Sequence, residues 1–195
     1  MKQDIILAGV GGQGIISIAF VIARAALEEG LEVKQSEVHG MSQRGGAVQS
    51  HLRLADGRIA SDIIPRGEAD LILGVEPLEA LRYLDYLRPD GTIVASRTPH
   101  VNIPDYPDVE ALVSKISEVP RHIIIDSEKL AREAGSTRSQ NMVMLGAASK
   151  RLAVGGEGLE KYIRVLFQPR GENVVAVNLK AFALGRAAAA VLPAN

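Results

Sequence analysis

The sequence has no cysteine and no tryptophan, and aromatic residues make up only 4% of it. Without cysteine the chain forms no disulfide, offers no thiol nucleophile and supplies no thiolate ligand to an iron–sulfur cluster. A charge excess is missing too: 22 basic and 23 acidic side chains leave a net charge of −1. That balance gives no general attraction to nucleic acid or to an anionic membrane surface. No apolar run approaches the ~20 residues that span a bilayer. The opening MKQDIILAGVGG carries Asp4 and a short apolar stretch, unlike the basic start and longer apolar core of a secretory signal. The expected location is the cytoplasm. Neither G-x-S-x-G, H-E-x-x-H nor a Walker A sequence occurs, which removes several hydrolase and NTPase classes.

What is present suits one folded α/β domain. The chain has 195 residues, 47% of them hydrophobic and 23% charged, enough to bury a sizeable core. Ile5–Ala8 is a short apolar run entering Gly9 and reads as a buried parallel strand. From Gln13 to Glu29 apolar residues recur at helical spacing, and Gly30 stops the helix. Leu31–Val38 follows as a second strand. Val48–Leu54 alternates apolar and polar residues, then Asp56-Gly57 precedes another extended run, Ile59–Ile64. This pattern predicts an inserted antiparallel hairpin turning at Asp56-Gly57.

Parallel order then resumes. Leu71–Val75, Thr92–Ala95 and Ile123–Ile125 read as strands, Pro77–Leu87 and Val109–Ser117 as helices, and Thr98–Pro107 as loop. Beyond Asp126 every segment is helical in pattern: Ser127–Ala134, Asn141–Leu152, Leu159–Phe167 and Val174–Val191. The expected fold is α/β, a Rossmann-like, mostly parallel sheet with an inserted antiparallel hairpin and a helical C-terminal third.

Two glycine-rich stretches carry the candidate chemistry. Gly9-Val10-Gly11-Gly12-Gln13-Gly14 fits G-x-G-x-x-G between a strand and a helix. Glycines there permit positive φ and close ligand approach, and the helix N-terminus favours an anion. The same glycines also serve close packing of the helix on the sheet. The acidic residue expected ~20 positions later is represented only by Glu32, at the start of the second strand, and Glu37, near its end. In the second stretch, His39-Gly40-Met41-Ser42-Gln43-Arg44-Gly45-Gly46, Arg44 supplies a permanent cation. Gly45 and Gly46 let backbone N–H groups turn toward the same anion. The alternative is a hairpin entry whose arginine pairs with a surface carboxylate. No second His, Cys or acidic pair stands near His39, so no metal site is expected. His51, His100 and His122 read as surface or packing residues. Ser136–Asn141 reads as a helix-capping run, from which Arg138, Gln140 and Asn141 can face a shared cleft.

The paired stretches, in this order and spacing, resemble the gamma-type domain of 2-oxoacid:ferredoxin oxidoreductases. The resemblance rests on Gly9–Ile15 and Gly40–Gly46, with support from Ile72–Pro77 and Asn141–Ala147, and covers essentially residues 1–195 as one domain. Val38–Gln43 stands where pyruvate- and 2-oxoglutarate-type relatives carry a Tyr-Gly-Pro-like sequence, and this looks like the indolepyruvate branch. The resemblance implies a non-autonomous small subunit in a complex that converts an aryl 2-oxoacid, CoA and oxidised ferredoxin to aryl-acetyl-CoA, carbon dioxide and reduced ferredoxin. It places thiamine diphosphate and the iron–sulfur clusters in a large partner subunit, leaving no cofactor assigned to this chain and CoA as co-substrate. Gly11, Gly12, Gln13, Gly14, Arg44, Gly45 and Gly46 are then the candidate ligand-binding residues, with His39 a further contact; no catalytic residue is assigned. A second reading is a nucleotide-binding (NAD or FAD) redox or regulatory module using Gly9–Gly14 alone, and a third is an assembly subunit whose glycines serve packing.

Overall fold

The computed structural model describes residues 1–40 and 45–191. Six strands form one sheet in the order β2-β3-β1-β4-β5-β6. They are β1 (Lys2–Val10), β2 (Glu32–His39), β3 (Ala47–Ala55), β4 (Ala69–Gly74), β5 (Leu87–Ser96) and β6 (His122–Ile125). β1, β4, β5 and β6 run parallel, and β3 lies antiparallel between β1 and β2. The helices are α1 (Ile15–Glu28), α2 (Pro77–Arg82), α3 (Val109–Ser117), α4 (Ser127–Ala134), α5 (Gln140–Ala148), α6 (Gly156–Phe167) and α7 (Glu172–Val191). The Rossmann-like sheet and the helical C-terminal third are as expected from the sequence, and an antiparallel hairpin is present, though between other strands.

Alternation along β1 sorts the core into two layers. Ile5 and Leu7 join one apolar cluster with residues of α1, α4, α5, α6 and α7. Ile6 joins Ile72, Ile93, Ala95, Ala80 of α2 and Ile116 of α3 on the opposite face. Both faces being covered explains why the parallel strands read as continuous apolar runs. Because α1 lies on one face and α2 and α3 on the other, the winding reverses between β1 and β4. In open α/β sheets that reversal leaves a crevice beyond the carboxyl ends of the strands.

Helix α5 is buried at every residue from Asn141 to Ala148, and glycines let α7 approach its backbone. A Cβ on Gly146 would lie 2.0 Å from the Phe182 carbonyl oxygen, and one on Gly185 would lie 1.9 Å from that of Val143. No side chain larger than hydrogen fits at either position. No helix among the described residues is long and apolar enough to cross a membrane.

Three details differ from the sequence expectation. The hairpin joins β2 to β3, with Glu32 opposite Ala55 and His39 opposite Val48, so the second glycine stretch falls between its two strands in sequence. Ile59–Ile64 forms no strand, because side chains take its backbone groups. Arg53 donates through Nη1 to the carbonyls of Ser61 (3.0 Å) and Ile63 (2.9 Å), and the Ile64 N–H donates to His51 Nδ1 (3.1 Å). Helix α2 also ends early, at Arg82. A short 3-10 turn, Leu84–Tyr86, leads directly into β5, where Leu87 pairs with Ala69 and Pro89 cannot prolong a helix.

Candidate functional site

The loop after β1 is shaped by its own side chains as well as its glycines. Gln13 folds back so that Oε1 accepts the Val10 N–H (2.8 Å), and the Gln13 N–H donates to the Val10 carbonyl (3.0 Å). Gly14 caps α1 with φ 78° and no capping side chain, a left-handed conformation that favours glycine. A Cβ there would also lie 2.3 Å from Asn141 Nδ2. Asn141 is buried and ties the two helix starts together: Nδ2 donates to the Gly14 carbonyl (3.3 Å), and Oδ1 accepts the Met142 N–H (3.0 Å).

The two glycine stretches meet. Gly11 N–H donates to the Gly46 carbonyl (2.8 Å), and Gly45 N–H to the Gly11 carbonyl (3.4 Å). These bonds prolong the β1–β3 ladder past the strand ends. The Gly11 and Gly45 donors therefore serve the junction between the stretches. Asn102 Nδ2 donates to the Gly45 carbonyl (2.6 Å), linking the junction to the 98–107 segment. Arg44, with Met41, Ser42 and Gln43, lies outside the described residues.

Beside this junction, at the carboxyl rim of the sheet, opens a cleft of about 630 Å³. Gly12, Gln13, Gly14 and Ser17 form one wall, and Thr98, Pro99 and His100 come from the segment after β5. Thr137, Arg138, Gln140 and Asn141, with Phe167 and Arg170, line the cleft from the helical C-terminal third. The cleft thus collects Gly12–Gly14 with Arg138, Gln140 and Asn141, while Gly45 and Gly46 are not among its lining residues. Ser17, Thr98 and Arg170 carry no motif in the sequence. Arg170 did leave a signal, since Pro169-Arg170-Gly171 is a cationic turn between two helices. His100 lines the cleft, whereas His51 is a buried packing residue.

Glu76 closes the rim beside β4. It is only 1% exposed, and its carboxylate accepts the Glu79 N–H (2.8 Å), the Tyr106 hydroxyl and the His100 N–H (3.4 Å). The 98–107 segment is thereby fastened at the crevice from two sides, by Glu76 and by Gly45. Burial, with the Glu76 carboxylate beside it, pushes the Tyr106 hydroxyl above its ordinary pKa. Burial also raises the carboxyl of Glu79, against the opposing effect of Arg82.

The arrangement disfavours an ordinary dinucleotide mode. In that mode the ribose meets an acidic residue at the end of the strand next to β1. Here β3 intervenes, and Glu37 lies two strands from β1, a lateral distance of about 9.5 Å.

Comparison with known proteins agrees with this architecture. Residues 4–188 match the family described as pyruvate ferredoxin/flavodoxin oxidoreductase. The chain is 38% identical over 200 residues to indolepyruvate oxidoreductase subunit IorB of Pyrococcus horikoshii, covering 97% of each chain. It is 29% identical over 192 residues to 2-oxoglutarate synthase subunit KorC of Methanothermobacter marburgensis, covering 95% of this chain and 96% of that one. Among solved structures, the 2-oxoglutarate:ferredoxin oxidoreductase of Magnetococcus marinus, with 2-oxoglutarate, coenzyme A and succinyl-CoA bound, superposes with a TM-score of 0.79 at 28% identity. That match covers all of this chain but only 32% of the larger one. The gamma subunit of a keto/oxoacid ferredoxin oxidoreductase from Geobacter sulfurreducens matches over 97% of this chain and 99% of its own, with a TM-score of 0.73 and 25% identity. Matched over residues 4–188 and alike in length and fold to single gamma-type subunits, the chain belongs to the pyruvate ferredoxin/flavodoxin oxidoreductase family, as a small, gamma-type subunit of a 2-oxoacid:ferredoxin oxidoreductase.

Proposed function

We propose that this chain, folded as one gamma-type domain over residues 1–195, is the small subunit of an indolepyruvate (aryl 2-oxoacid):ferredoxin oxidoreductase. The observation that carries the substrate choice is the contrast in similarity. Identity is 36–38% to four indolepyruvate oxidoreductase subunits, against 29% to two 2-oxoglutarate synthase subunits. The complex oxidatively decarboxylates its 2-oxoacid to an acyl-CoA and passes the electrons to ferredoxin. Thiamine diphosphate, held by a large partner subunit, supplies the electron sink for decarboxylation. With no cysteine, this chain offers no thiolate to a cluster, so electron transfer belongs to the partner.

The small subunit contributes a rim to the shared active site. Gly12, Gln13 and Gly14 present the start of α1 to an anionic part of CoA. Gly11, Gly45 and Gly46 hold the two stretches in register, and Arg44 is the cation that the second stretch carries in sequence. The test is purification with the large subunit, followed by ferredoxin-linked assays on indolepyruvate, phenylpyruvate, pyruvate and 2-oxoglutarate. The highest kcat/KM is expected for indolepyruvate or phenylpyruvate; preference for pyruvate or 2-oxoglutarate overturns the substrate choice. Turnover by the large subunit alone, undiminished by omission of this chain, overturns the subunit role.

A further inference from the structure

The rim cleft does not end at Phe167. A second cavity of about 320 Å³ adjoins it, lined by Gly135, Ser136, Ser139, Asn173 and neighbouring residues of α7. Arg138, Phe167 and Arg170 line both cavities. The two arginines therefore flank the seam between the cavities, with the buried Phe167 ring beside them.

Both arginines stand on fixed backbone. Arg138 lies in the 3-10 turn Thr137–Ser139, where Ser136 Oγ accepts the Arg138 N–H (3.3 Å) and Ser139 Oγ donates to the Ser136 carbonyl (2.7 Å). Arg170 lies in the turn after α6, closed by a bond from the Gly171 N–H to the Gln168 carbonyl (3.1 Å), with Gly171 at φ 96°. The Arg170 guanidinium lies 5.8 Å from the Phe167 ring centroid. Among the described residues, neither guanidinium has a carboxylate partner or a side-chain hydrogen bond. The acidic side chain lining this cleft, Glu128, is paired with Arg132. Two unneutralised guanidiniums, 32 positions apart in sequence and converging on one cavity seam, form a receptor for a multiply charged oxyanion.

We infer that Arg138 and Arg170 grip a phosphate group of the CoA co-substrate at the seam between the two cavities. The identity of the ligand rests on the reading of the chain as a CoA-using subunit; the oxyanion site itself rests on the arginine pair. With the arginines lining both cavities, the site suits a ligand whose phosphates lie between two neutral portions. The polar groups of the second cavity, Ser136, Ser139 and Asn173, then face the part of the ligand beyond the arginines.

The experiment compares wild type with Arg138→Ala, Arg170→Ala, the double variant and Arg138→Lys. Binding of CoA, 3′-dephospho-CoA and inorganic pyrophosphate is measured calorimetrically on the full chain and on its complex with the large subunit. KM for CoA and for the oxoacid is measured on the complex. Each alanine variant is expected to weaken CoA about tenfold and the double variant about thirtyfold or more. Arg138→Lys should recover part of the loss, and all variants should keep the wild-type melting temperature, since both side chains are exposed and unpaired. Unchanged CoA and pyrophosphate affinities in the double variant overturn the inference. So does a rise in KM for the oxoacid with KM for CoA unchanged, which would assign the pair to a substrate carboxylate. If the loss disappears with 3′-dephospho-CoA, the arginines hold the 3′-phosphate; if it persists, they hold the diphosphate. A complex that turns over none of the four oxoacids, yet loses pyrophosphate binding in the variants, refutes the substrate reading and leaves the oxyanion site standing.

Discussion

At the amino rim of the sheet, Arg53 meets the buried carboxylate of Asp4 through two hydrogen bonds (2.8 and 3.0 Å), and Arg88 pairs with both Asp70 and Asp90. At the carboxyl rim, Arg138 and Arg170 meet no carboxylate among the described residues. The same residue type does different work at the two ends. At the amino rim the arginines complete the fold: Arg53 also holds the carbonyls of Ser61 and Ile63 and so determines the path of the 59–64 segment. The buried and matched Arg53–Asp4 pair is a structural commitment, because removing one partner strands the other. Exposed, unmatched charge beside a cleft costs the fold little and remains available to a ligand. The contrast separates residues whose loss unfolds the chain from residues whose loss leaves it folded and weakens binding.

Breaking the amino rim should have the largest effect on stability. Asp4→Ala leaves Arg53, 11% exposed at its side chain, without its carboxylate and should cost about 3 kcal/mol. Urea denaturation measures this, and CoA affinity of the folded fraction should stay at the wild-type value. Next comes a position at the carboxyl rim where structure and site coincide. Gly14→Ala forces a side chain into left-handed backbone and into the Asn141 amide. It should lower stability by about 1–2 kcal/mol and also weaken CoA binding, a double effect that neither arginine variant shares.

A smaller effect is expected at the fastening of the 98–107 segment. Tyr106→Phe removes the hydroxyl donor to Glu76 and should cost about 1 kcal/mol. Hydrogen exchange should speed up in residues 98–107 and stay unchanged in α5 and α7. The smallest change is a pH slope. Burial holds the His51 imidazole below its ordinary value of 6.5, so the folded state resists the protonation that the unfolded chain accepts. Its contribution is complete above pH 6.5 and is lost as pH falls through the depressed folded value. His51→Asn keeps an acceptor for the Ile64 N–H and should flatten the acid side of the stability profile.

The sequence made the parallel core legible because burial on both faces writes β1, β4 and β6 as unbroken apolar runs, and periodicity marked α1, α3 and α4 within a residue or two. It failed where long-range side chains decide the backbone. Nothing local in Ile59–Ile64 announces that Arg53 and His51 will take its hydrogen bonds, and alternation with an Asp-Gly turn pointed to the wrong hairpin partner. Of the site, Gly12–Gly14 were visible from their spacing, and Arg138, Gln140 and Asn141 from a polar run ahead of an apolar helix. Arg170 and Ser17 were not, because the cleft exists only after α6 returns beside α1. Glu76 falls within Ile72–Pro77, one of the stretches that carry the family resemblance. Its position at the carboxyl end of β4, just before a proline that opens a helix, was the available clue.

The glycine crossing of α5 and α7 bears on this cleft from a distance. Val143, whose carbonyl faces Gly185, lies about 3 Å along α5 from Asn141, and Asn141 grips the turn that carries Gly14. A single methyl group on Gly146 or Gly185 would wedge the two helices apart and tilt α5 at its rim end. The width of the opening between Gly14 and Arg138 is therefore calibrated by two hydrogen atoms on the far side of the helix, and enlarging either would retune the cleft without touching any residue that lines it.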